Sequence, residues 1–140
     1  MKDWKTLCAH VRETAYAIHA YLGNGHLEKV YENALVHRLR KAGLEVAQQQ
    51  PLRVFDEDGT LIGDYFADLL VDGWLIIELK TVRRLAPEHE AQVLGYLKSA
   101  RLKHGLLINF GSFCFQLRKF VWSEQAECKA ATNLRKILSI

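Results

Sequence analysis

The 140 residues, 49% hydrophobic and 25% charged, suffice for one soluble domain (1–140) with a sizeable core, and no apolar run approaches the length of a membrane span. The net charge is only +3, but it is uneven: residues 1–70 carry 8 Lys and Arg against 10 Asp and Glu, and residues 71–140 carry 11 against 6, which permits a polyanionic partner without demanding one. Cys8, Cys114 and Cys128 are odd in number and lack a CxxC pair, which argues against a disulfide framework or zinc site, and Met-Lys-Asp-Trp-Lys at the N-terminus lacks a signal peptide's apolar region, so a cytoplasmic location is expected.

Residues 3–22 read as a helix, because Trp4, Leu7, Cys8, Val11, Ala15, Ile18 and Leu22 recur at spacings of three and four and Gly23 follows as a stop. His10 and His19 on this helix read as packed or solvated side chains with no chemical role. A glycine-containing break, Gly23-Asn24-Gly25-His26, opens a second helix running to about Ala42, with Leu27, Tyr31, Ala34, Leu35, Leu39 and Ala42 expected to face the core. Glu28 lies three before Tyr31, so its carboxylate is expected on the inward side, although on the helix evidence alone a first-turn acid favoured by the helix dipole is the preferred reading.

Glu45 to Phe55 reads as an extended segment in which Pro51 marks an edge or irregular position. Asp56-Glu57-Asp58-Gly59 lacks the ligand ladder of a calcium loop and reads as a solvated hairpin turn. The next strand, from about Leu61, carries Asp64 and Asp68.

The Asp64 to Lys80 stretch is the anomaly, since Asp68, Glu78 and Lys80 sit inside two strongly apolar runs around Asp72-Gly73. Burying an unpaired charge costs several kcal/mol or more, so a fold selected for stability alone would place apolar residues there. Register decides whether these charges can cooperate. A two-residue turn at Asp72-Gly73 would pair Asp68 with Ile77 and send Asp68 and Glu78 to opposite faces, so a three-residue connection or a bulge is expected, with Gly73 at positive φ.

After the basic loop Thr81-Val82-Arg83-Arg84, Pro87, Glu88 and Glu90 mark the first turn of a third helix, with Ala91, Leu94, Leu97 and Ala100 or Arg101 on its apolar side. Gln92 and Tyr96 project together one turn apart. His104 to Phe110 and Phe113 to Trp122 read as strands, and the tail from Ser123 as an amphipathic helix carrying Ala126, Ala130, Leu134, Ile137 and Leu138. The order helix, helix, three strands, helix, two strands and helix implies an α/β domain whose central mixed sheet is flanked by helices.

Asp68 and Glu78, with Glu28 from the preceding helix, form an oxygen-only donor set suited to Mg²⁺, with Mn²⁺ as a substitute. Such a site would polarise a phosphodiester and activate water, with Lys80 orienting that water and Gln92 and Tyr96 positioning phosphate or Lys80.

These residues resemble a known family. Gly25-His-Leu-Glu28-Lys-Val-Tyr31 is similar to the signature of the GxxExxY proteins, within the PD-(D/E)XK nuclease superfamily. The likeness continues through Tyr65-Phe-Ala-Asp68-Leu-Leu-Val-Asp-Gly, Ile77-Glu78-Leu-Lys80, His89-Glu-Ala-Gln92-Val-Leu-Gly-Tyr96 and Gly105-Leu-Leu-Ile-Asn-Phe110, covering about residues 10–121. The resemblance implies a restriction-endonuclease-like core and a metal-dependent nuclease. It gives Asp68, Glu78 and Lys80 the Asp and ExK roles, Glu28 the helical acid, and Gln92 with Tyr96 the QxxxY helix. Ala67 stands where the superfamily name has Pro, and Asp64 has no place in the motif.

Three hypotheses follow. The leading one is a nuclease on DNA or RNA, DNA ahead of RNA, with Arg83, Arg84, Lys98, Arg101 and Lys103 as phosphate contacts and a homodimer expected by analogy. The second is a nucleic-acid- or protein-binding module of the same fold without turnover. The third is a structural ion pair between Glu78 and Lys80.

Overall fold

The computed structural model describes residues 3–124 and places eight elements there: α1 (Trp4–Leu22), α2 (Glu28–Lys41), β1 (Val46–Phe55), β2 (Leu61–Val71), β3 (Leu75–Lys80), α3 (Pro87–Ala100), β4 (His104–Asn109) and β5 (Gln116–Val121). The C-terminal helix expected from Ser123, with Ala126, Ala130, Leu134, Ile137 and Leu138, lies outside the described residues beyond position 124.

Asp3 starts α1 by accepting the Lys5 amide at 3.1 Å and the Thr6 hydroxyl at 3.1 Å, so its carboxylate serves a helix donor that has no intrahelical partner. Leu7, Val11, Ala15 and Ile18, at the spacing of one helix face, are fully buried.

The five strands form one mixed sheet in the order β1-β2-β3-β4-β5, antiparallel except for the parallel pair β3 and β4. A parallel pair needs a crossover, and α3 supplies it. Pro51 lies on the edge strand β1, where its missing amide costs no central ladder bond. Two cores sandwich the sheet. On one side, Leu69, Val71, Ile77 and Leu79 pack against α1 and α2 through residues such as Val11, Ile18, Tyr31 and Leu35. On the other, Ile76 and Leu107 pack with Val93, Tyr96 and Leu97 of α3.

The β2-β3 hairpin has the expected register. Leu69 pairs with Ile77, Leu70 with Ile76 and Val71 with Leu75, leaving Asp72-Gly73-Trp74 as a three-residue connection. Asp72 has φ +51° and Gly73 has φ +75°, the left-handed conformation a glycine adopts without Cβ strain. Continued by one step, this register sets Asp68 against Glu78.

Two helix faces differ from expectation. Leu27 is 80% exposed because it is the extended residue capping α2, outside the helical period, and Ala42 is likewise a cap and exposed. In α3 the buried residues are Val93, Tyr96 and Leu97, while Ala91 and Leu94 face outward, so the inward face is the one that carries the Tyr96 ring.

Candidate active site

β2 and β3 stop pairing as a regular ladder beyond Leu69 and Ile77, and side chains take over. The Asp68 amide donates to Glu78 Oε1 at 2.8 Å, and the Leu79 amide donates to Asp68 Oδ2 at 2.8 Å. Each carboxylate thus satisfies an amide of the opposite strand, where diverging backbones would otherwise leave buried donors unpaired. Glu78 is only 3% exposed, on a strand whose residues from Leu75 to Leu79 are all buried. Lys80 Nζ lies 4.0 Å from Glu78 Oε2 on the same face.

On the α3 side, Gln92 Nε2 donates to the Tyr96 hydroxyl at 2.9 Å, fixing the phenol toward the acids. On the α2 side, Glu28 occupies the first helical position and feels the charges of Asp68 and Lys80. All six residues expected from sequence, Glu28, Asp68, Glu78, Lys80, Gln92 and Tyr96, therefore belong to one neighbourhood, linked by hydrogen bonds or by mutual electrostatic influence.

Glu32, Gln48 and Gln49 also belong to it, although the sequence reading did not include them. Glu32, 2% exposed, accepts Lys29 Nζ at 2.6 Å, Gln48 Nε2 at 2.8 Å and Gln49 Nε2 at 2.9 Å. Gln49 Nε2 also lies 3.3 Å from Asp68 Oδ1, so it bridges the helical acid to the strand acid. Gln49 has φ +50°, between the pairs Gln48–Leu69 and Gln50–Ala67, a left-handed conformation that costs a non-glycine residue ~1–2 kcal/mol. A signal was present: Glu32 is one turn after Glu28 on the same helix face, and three consecutive glutamines are unusual in a strand.

Burial, reinforced by repulsion from Asp68, pushes the Glu78 carboxyl up to about 8. Burial raises Asp68 as well, and burial followed by repulsion from Asp68 raises Glu28. Tyr96 is raised by burial and then by the Glu78 charge, so its phenol stays protonated at neutral pH.

Three carboxyls raised together have the electrostatics a divalent cation relieves, and their oxygen donors suit a hard ion. The donor chemistry fits a divalent metal. Among the described residues, however, no three His, Cys, Asp or Glu side chains converge as a ready-made metal-binding group, consistent with Asp68 and Glu78 each committing one oxygen to a backbone amide.

The loop after Lys80 is held from β4. Asn109, fully buried, accepts the Val82 amide at 3.1 Å and donates to the Val82 carbonyl at 2.8 Å. Gly111 lies so close to this loop that a Cβ there would overlap the backbone of Thr81 and Val82. Tyr31 holds the loop before Glu28 in the same way: its hydroxyl donates to the Gly23 carbonyl at 2.6 Å and accepts the His26 amide at 3.2 Å, while its ring stacks on Phe110 at 4.7 Å. The buried His19 Nε2 lies 2.9 Å from the Ser112 carbonyl oxygen, in keeping with the packed role read for it.

The basic residues are more dispersed. Arg83 and Arg84 lie between β3 and α3, both exposed, and Lys103 is exposed just before β4. Lys98 and Arg101 face the β1-β2 hairpin across a cleft.

A model of the PD-(D/E)XK nuclease superfamily matches residues 5–120, and the chain belongs to that superfamily. Among solved structures, the crystal structure of SSO0001 is similar, with a TM-score of 0.55 and 17% identity over 96% of this chain and 68% of that one, a likeness of fold. No curated protein matches the chain. The mixed five-stranded sheet with helices on both faces is the restriction-endonuclease-like architecture. Nucleases of this superfamily generally use divalent metal ions and act on nucleic acid.

Proposed function

We propose that the chain is a metal-dependent nuclease of GxxExxY type that hydrolyses phosphodiester bonds, with DNA preferred to RNA. The reading is carried by the reciprocal lock of Asp68 and Glu78 beside Lys80, which holds two raised carboxyls and an ammonium where stability alone favours none. Asp68, Glu78 and Glu28 would hold Mg²⁺ or Mn²⁺, which when bound supplies Lewis-acid stabilisation and a more acidic water.

The remaining chemistry belongs to side chains. Lys80, at 4.0 Å from Glu78, is placed to orient the attacking water and to offset charge developing on the phosphate. The Tyr96 phenol, protonated and aligned by Gln92, donates a hydrogen bond to a phosphate oxygen. Gln49 and Glu32 are positioning residues that hold Asp68 from the α2 side. Arg83, Arg84, Lys98, Arg101 and Lys103 supply phosphate contacts, and two copies of the chain would serve two strands.

The test is cleavage of single- and double-stranded DNA and RNA in Mg²⁺, Mn²⁺ or EDTA. Wild type cleaves at least one form with either ion and none in EDTA, and Asp68→Ala abolishes the activity. Binding without cleavage would favour a module that has kept the fold and lost turnover, and cleavage indifferent to Asp68→Ala would overturn the site.

A further inference from the structure

The β2-β3 ladder ends at Leu69 and Ile77, whereas β1 and β2 remain paired out to Phe55 and Leu61, so their outer halves project as a two-stranded arm. The arm is unusually apolar on its outside: Phe55 is 56% exposed, Ile62 62%, Tyr65 46% and Phe66 54%. Exposed apolar groups concentrated on one element mark a binding surface.

We infer that the cleft between this arm and α3 binds an unpaired stretch of nucleic acid, stacking a base on the arm's aromatic rings and leading the strand to the acids. The inference rests on the nuclease reading and adds the substrate class. The cleft measures about 430 Å³, within the ~300–1,000 Å³ range of small-ligand sites, and is bordered by Arg53, Phe55, Tyr65, Lys98, Ser99 and Arg101. Three of these are cationic, and among the described residues no carboxylate lines the cleft.

Two of the arm's acids serve amides of its own tip turn, and a third stands opposite Arg53 across the strands. In the tip turn, Asp56 accepts the Glu57 amide at 2.7 Å and Asp58 accepts the Thr60 amide at 3.0 Å, while Asp64 is the cross-strand partner of Arg53. Glu124 lies 3.4 Å from Arg101 in a pair exposed on both sides, which a phosphate can replace.

The cleft is continuous with the site. Tyr65 and Tyr96 have ring centroids 5.4 Å apart, and Tyr96 is the phenol that Gln92 orients toward Glu78. Cations along a groove with aromatic rings inside it are the features that hold single strands, because every base has a face to stack and every nucleotide a phosphate. A paired base hides its faces in the duplex. A second copy of the chain fits less well, because an isologous contact would bring Arg53, Lys98 and Arg101 against their own counterparts.

The test is fluorescence anisotropy in EDTA, using the full chain with a labelled oligothymidylate of ~12 nucleotides, within the length such grooves cover, and a blunt duplex. Wild type binds the single strand more tightly, Tyr65→Ala weakens that binding roughly tenfold to a hundredfold, and Tyr65→Phe, which keeps the stacking face, restores it. Replacing both Arg53 and Lys98 with Ala lowers the salt slope by ~0.7 per cation. Should Tyr65→Ala misfold, as judged by circular dichroism, Tyr65→Phe and the charge variant still decide.

Equal affinity for the duplex, or indifference to Tyr65→Ala, overturns the proposal, as does a dimer that Tyr65→Ala dissociates without changing nucleic-acid binding. Selective single-strand binding without cleavage of any substrate supports the cleft and sinks only the nuclease reading. Cleavage that needs Lys80 while binding ignores Tyr65 sinks only the cleft.

Discussion

Glu78 is a carboxyl among apolar residues, and its burial beside Asp68 carries it from an ordinary 4.5 up to about 8. A group whose folded-state pKa is raised contributes stability that is complete below the unfolded value and lost as pH rises through the folded one. In EDTA, Glu78→Gln is therefore expected to gain on wild type as pH rises from about 4.5 to about 8. The measurement is thermal denaturation of both proteins across that range, and a difference independent of pH would contradict it. Tyr31 tests the neighbouring loop at the same scale. Tyr31→Phe keeps the stack on Phe110 but removes the hydroxyl serving Gly23 and His26, a loss of ~1–3 kcal/mol in denaturant unfolding.

At the scale of elements, the β2-β3 hairpin decides whether a site exists. Its three-residue connection sets Asp68 against Glu78, and Gly73 at φ +75° makes that connection inexpensive. Gly73→Ala is expected to cost ~1–2 kcal/mol in chemical denaturation, since the new Cβ meets the left-handed strain directly. A cost near zero would mean the turn can take another shape. This register was legible in the sequence because strands alternate strictly, so two charges must share a parity to share a face. The helix faces were less legible. Leu27 and Ala42 carry apolar side chains but act as caps, and Tyr96 turns α3 by burying a ring outside the apolar side expected for this helix. Gln49 was hidden for a different reason: its left-handed backbone within β1 breaks the alternation on which the strand reading depends.

Across the whole molecule, the two cores on either side of the sheet serve to bring three chain segments to one place: the start of α2, the divergence of β2 and β3, and the stretch of α3 from Gln92 to Tyr96. The element order predicted that architecture because helices on both sides of the strands demand a covered sheet. The arm and its cleft were not readable in the same way, since Phe55, Ile62, Tyr65 and Phe66 follow a strand pattern and only the end of the β2-β3 ladder shows them uncovered.

In the proposed nuclease, Asp68, Glu78 and Lys80 work as one hydrolytic site. Single-turnover cleavage of a labelled oligonucleotide in Mg²⁺, by wild type and by Lys80→Ala, tests it most directly. Lys80→Ala is expected to lose ~10²–10³ in rate, the usual consequence of removing one group that stabilises transition-state charge, with substrate still bound. A Lys80→Ala enzyme that cleaves at the wild-type rate would contradict it.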